Sequence, residues 1–142
     1  MNAPLAFLLE VLHECVTLSS EVEIKQACEL IVRAQCATPA EVEVIRALFE
    51  RGPLFDGDVP SKQARDELAR EGFVSKVVVN GEEGYNACTY SGACLYRLCV
   101  AENRIVSTTR KYYQFRTYES EDSANDKILF TAGGGPLRLS VA

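Results

Sequence analysis

The residues best suited to chemistry in this chain of 142 are six cysteines, one histidine and a few paired carboxylates. Cys15, Cys28, Cys36, Cys88, Cys94 and Cys99 contain no C-x-x-C pair, and His13 is the sole histidine. Tetrahedral zinc sites draw paired ligands from tight turns, which this spacing does not supply. The stretch NACTYSGACLYRLCV sets three thiols among apolar side chains, where free cysteine behaves as a small buried hydrophobe. No metal and no cofactor is expected. His13 lies on an amphipathic stretch beside Glu10 and Glu14, the setting of a surface or boundary residue; a nucleophile would have to meet it in space. Asp56 with Asp58, and Glu82 with Glu83, fall in expected turns, where carboxylates cap loops and keep them solvated. The glycines before Pro136 lack the helix start that a phosphate loop needs, since strand-like LRLSV follows, and read as a turn. No catalytic residue emerges, and the chain is not expected to be an enzyme.

That leaves binding. Lys62, Gln63, Arg65 and Arg70 fall on one expected helix, and arginine and glutamine are side chains that read base edges in a groove. Asp66 sits amid them. A second basic stretch, residues 103–118, holds Arg104, Arg110, Lys111 and Arg116 and no acid. Its interleaved Tyr112, Tyr113, Phe115 and Tyr118 offer stacking platforms beside phosphate contacts. The plainer reading is a strand with aromatics inward and bases outward. The chain as a whole carries a net charge of −5 and lacks the broad basic footprint of a strong non-specific DNA binder, so any nucleic-acid contact is expected to be local.

The elements that must position these residues are legible from period and punctuation. Leu5, Leu8, Leu9, Leu12 and Val16 repeat at helical spacing, and Ile24, Cys28, Ile31 and Val32 make the stripe of a second helix. Thr38 and Pro39 open a third, with Val42, Ile45, Leu48 and Phe49 inward and Gly52 as its stop. Phe55 to Gly57 reads as a loop. Asp58 or Ser61 then caps a helix with Pro60 in its first turn and Gly72 at its left-handed end. Phe73 to Val79 is an expected strand, NGEEG a turn, and Tyr85 to Tyr90 the return strand. ACLYRLCVAEN closes as a helix. Beyond it RIVSTTRKYYQFRTYES reads as strand, ESEDSAND as a loop, and KILFTAGGGPLRLSVA as two strands joined through Gly133–Pro136. The N-terminus lacks the form of a secretory signal, and no apolar run is long enough to span a bilayer, so a cytoplasmic protein without membrane contact is expected.

The order helix, capped helix, L-x-x-x-G-F-V, hairpin, then TYSGACLY resembles the winged helix-turn-helix domains of small bacterial and phage regulators, over residues 39–100. Thr89 and Gly92 match the T-x-x-G step that leads the family's second strand into a closing helix. One departure is the segment PLFDGDVP, which leaves barely one turn for the family's usual helix before the recognition helix.

The fold class expected is therefore α+β: an N-terminal helical pair (1–37), a winged-helix-like module with a hairpin wing (38–101) and a C-terminal β extension (102–142). The resemblance implies a small DNA-binding transcription regulator of phage or mobile-element type that contacts double-stranded DNA. Its expected contacts are Lys62, Gln63, Arg65, Arg70, Arg110, Lys111 and Arg116. The alternative is an acidic interaction module, an inhibitor or adaptor, that meets a basic protein partner through Asp56, Asp58, Glu82 and Glu83. A homodimer through the N-terminal helices, built on Leu5, Leu8, Leu12 and Val16, is expected in either case.

Overall fold

The computed structural model describes residues 21–105, 113–121 and 128–134. In chain order these form α1 (Glu21–Cys36), α2 (Pro39–Arg51), β1 (Leu54–Phe55), a 3-10 turn (Asp56–Asp58), α3 (Lys62–Arg70), β2 (Val74–Val79), β3 (Glu82–Cys88), α4 (Tyr90–Ala101), β4 (Tyr113–Ser120) and β5 (Ile128–Gly134). The fold is α+β. All strand neighbours are antiparallel, in the order β1-β3-β2-β4-β5.

Local chemistry explains the helix ends. At α2 the Thr38 hydroxyl accepts from the Glu41 N–H at 3.2 Å, and the Glu41 carboxylate accepts from the Thr38 N–H at 2.9 Å, a reciprocal capping box. At α3 the cap is Ser61, which accepts from the Ala64 N–H at 3.2 Å; Pro60 therefore lies outside the helix, not in its first turn. Gly72, at φ 86°, ends α3. The Phe73 N–H then reaches the Leu68 carbonyl at 2.9 Å and the Gly72 N–H the Ala69 carbonyl at 3.1 Å, which satisfies two otherwise orphaned acceptors.

The hairpin is tighter than its sequence suggests. Asn80 and Gly81 have φ values of 53° and 80°, and Val79 pairs directly with Glu82. A two-residue turn with both central residues left-handed matches the twist of the strands, so the reversal needs nothing after Gly81. Glu82 and Glu83 are accordingly the first residues of β3 and not part of the turn, and the return strand spans 82–88 instead of 85–90. Val77 pairs with Tyr85 while Val79 pairs with Glu82, so β3 carries one extra residue, accommodated where Gly84 adopts φ 92°. Phe55, expected as loop, pairs with Tyr85, and Leu54 pairs with Asn86, as a short strand.

One buried cluster includes Ala27, Ile31 and Ala34 of α1, the inner face of α2, Leu68 of α3, Leu95 and Leu98 of α4, and Ile105. It crosses residues 37 and 38 without a break. The expected inward residues of α2 are buried, and so is Val44, because α2 is packed on several sides. Val32, expected in the stripe of α1, is instead 57% exposed, since one step of roughly 100° from buried Ile31 turns it out of the stripe. The Phe49 and Tyr96 rings stack at 3.8 Å, and the Tyr96 hydroxyl donates to Glu50 at 2.7 Å. Gly133 and Gly134 belong to β5 and are not part of a turn. The stripe from Leu5 to Val16, His13, and the expected strand after Pro136 lie outside the described residues. Among the described residues no helix is long and apolar enough to cross a membrane.

Candidate functional site

Of the residues singled out for binding, Lys62, Gln63, Arg65 and Arg70 lie on α3, Asp56 and Asp58 in the turn ahead of it, and Glu82 and Glu83 at the β2–β3 hairpin. The state of Arg65 is set by Asp56, in the 3-10 turn just ahead of α3. One oxygen of its carboxylate accepts from Arg65 Nη1 at 2.8 Å, from Asn86 Nδ2 at 2.9 Å and from Lys76 Nζ. Those donors come from α3, β3 and β2, so a single carboxylate fastens the helix to the sheet. The Lys76 hydrogen bond, then that of Asn86, holds the Asp56 carboxyl below the usual aspartate range. Asn86 is 1% exposed and gives its amide to the Leu54 carbonyl as well, at 3.2 Å; its own carbonyl oxygen has no partner among the described residues.

Arg65 is the central base of the expected DNA-reading set, and it is occupied. Besides Asp56 it donates through Nε at 3.0 Å and Nη2 at 2.8 Å to Asp66, and its side chain is 12% exposed. Lys62, Gln63 and Arg70 are exposed on the same helix. Arg116 lies on β4, while Arg110 and Lys111 lie outside the described residues. Of the acidic set, Asp58, Glu82 and Glu83 are exposed and Asp56 is spent on the fold.

Two further features carry no sequence signal of their own. Arg33 of α1 makes a bidentate pair with Glu41 (3.2 and 2.6 Å) and reaches Glu71 beyond α3 through Nε (3.0 and 2.9 Å). It also lies over the Phe73 ring, 5.9 Å from its centroid. The hydrogen bonds that Arg33 donates to Glu71 and then to Glu41 raise its pKa. Burial pushes the Glu41 carboxyl up, but the Arg33 and Thr38 hydrogen bonds outweigh it and leave the pKa lowered. Glu71 is thereby withdrawn from the α3 face. The second feature is aromatic: Phe55 meets Tyr85 edge-on at 5.5 Å and stays 47% exposed beside the start of β3.

Two of the buried thiols are poor nucleophiles. Burial raises Cys88 to about 12 and Cys99 to about 11, so both stay protonated at neutral pH. Among the described residues no group of three or more histidine, cysteine, aspartate or glutamate side chains could hold a metal ion. Comparison with protein-family models, with curated proteins and with solved structures gives no match.

Proposed function

We propose that this chain is a non-catalytic binding module on a winged-helix-like scaffold, and that the face formed by α3 and the β2–β3 hairpin engages a basic partner protein. The scaffold reading is supported by the order α2, β1, 3-10 turn, α3, β2, β3, in which the turn stands where the family has a short helix. It is supported too by the closing step into α4, where Thr89 caps the helix on the Gly92 N–H.

One observation carries the choice of partner. Arg65 is fastened between Asp56 and Asp66, while Glu82 and Glu83 stand exposed at the hairpin. A duplex laid on this face would meet these two exposed carboxylates and find its central cation already neutralised, which opposes the phosphate attraction that dominates DNA affinity. A basic protein surface would instead be steered toward it.

Duplex recognition by α3, as in a small phage-type regulator, is the second reading, supported by the exposed Lys62, Gln63 and Arg70. Fluorescence anisotropy with a random-sequence duplex at two salt concentrations separates the two. The interaction reading expects no binding by the wild type even at low salt. It expects binding by the Glu82→Lys, Glu83→Lys variant, with a salt dependence steeper by about one unit for each phosphate the new lysines neutralise. Wild-type binding that Lys62→Ala weakens would overturn it in favour of the second reading.

A further inference from the structure

The hairpin face carries an aromatic corner as well as charge. Phe55 sits on β1, the end strand of the sheet, and pairs in register with Tyr85. Its ring lies over Gly84, where a Cβ would come within 2.9 Å of Phe55 Cε1, so the glycine leaves the space the ring occupies. The ring is nevertheless about half open to solvent, one of three large apolar side chains so exposed among the described residues. Tyr85 stands at right angles to it, 78° between planes, and its hydroxyl is 3.5 Å from Glu82 Oε2. Lys76 and Arg65 are both turned onto Asp56. The exposed Phe55 ring, the Tyr85 ring beside it and the Glu82 carboxylate at the Tyr85 hydroxyl thus adjoin one another in turn.

We infer that the Phe55–Tyr85 corner is a seat for an arginine side chain presented by the basic partner, with the guanidinium over the ring and its N–H groups toward Glu82. The inference rests on the interaction reading and sharpens it to a residue type. Guanidinium is planar and more weakly hydrated than ammonium; it stacks on an aromatic face while its edge still donates to a carboxylate. A ring at the sheet's end also accepts a chain that approaches from outside without displacing any paired strand. A nucleobase could stack on the same ring, but its phosphates would then face Glu82 and Glu83.

The test is an NMR titration of the full chain with a short oligo-arginine peptide, read at the aromatic resonances and compared with Phe55→Leu. Leucine keeps an apolar group over Gly84 and removes the π face. The expected result is a shift of the Phe55 and Tyr85 ring signals and affinity about 2- to 5-fold weaker in the variant, the range for an exposed cation–π contact. If the peptide binds while both rings stay still and Phe55→Leu binds equally well, the arginine seat is wrong and the broader reading survives. If the peptide does not bind even at low salt, the acidic-face reading falls and the seat with it. Oligothymidylate shifting the same two rings would overturn the inference in favour of single-stranded nucleic acid.

Discussion

Arg65 Nη1 lies 2.8 Å from Asp56 Oδ1, and this pair locks α3 to the turn that precedes it while removing the helix's central cation from the surface. Asp56→Asn should loosen that arrangement. Arg65 and Lys76 would each lose a charged acceptor, and the face would become more positive. Duplex binding at low salt is expected to appear where the wild type shows none, with a salt slope of about one to two units. Unchanged duplex binding in a variant of normal circular dichroism would show that Arg65 is not held back by Asp56.

Gly92 is predicted to be intolerant of any side chain. A Cβ there would lie 2.2 Å from the Phe73 carbonyl oxygen and 3.3 Å from Cys88 Cβ. The first contact is with backbone, which itself accepts from the Thr89 N–H at 3.1 Å, so neither partner can move freely. Gly92→Ala should destabilise the fold by about 1–3 kcal/mol, despite alanine's better helix propensity. Urea unfolding measures it, and a neutral or stabilised variant would contradict this packing of α4 on β2 and β3.

The Glu41–Arg33 pair predicts an acid limb of stability. The folded-state pKa of Glu41 lies below its ordinary value of 4.5, so the ionised form contributes stability at neutral pH. That contribution is lost as pH falls from about 4.5 through the lowered folded value. Glu41→Gln should cost about 1–3 kcal/mol at pH 7, by leaving part of a charged hydrogen-bond set unmade. The difference from wild type should shrink as the solution is acidified through that window. A difference independent of pH would indicate that the carboxylate's charge is not what matters.

Thiol reactivity should sort by burial. Cys36 is exposed, whereas Cys88, Cys94 and Cys99 are buried. Brief alkylation of the native protein followed by peptide mass mapping should label Cys36 first and the three buried thiols only after unfolding. Added zinc should leave the melting temperature unchanged. Rapid native labelling of Cys88 would mean that the contact of α4 with the sheet opens readily.

The stripe Leu5, Leu8, Leu12 and Val16 predicts a homodimer, which light scattering at high micromolar concentration would detect. Leu8→Asp with Leu12→Asp should yield a monomer of unchanged urea midpoint in the rest of the chain. A monomeric wild type would remove the idea.

What the sequence by itself determined is what local chemistry enforces. Thr38 with Glu41, Ser61, Gly72, Asn80–Gly81 and Thr89 each fix a boundary through bonds that span at most five residues, or through a backbone conformation only certain residues adopt. Helical spacing likewise identified the inward face of α2. It failed at Val32, where period alone does not say how wide a stripe the neighbours will cover. The sequence could not say which charges remain available. Asp56 looked like a free turn carboxylate and Arg65 a free reader. They meet each other across nine positions, and Asp56 meets Lys76 and Asn86 across 20 and 30. Phe55 became an exposed aromatic beside Tyr85 only when β1 paired with β3. Such partnerships depend on how the sheet and α3 pack in space, and side chains distant in the chain carry no local sign of the neighbours that will neutralise or uncover them.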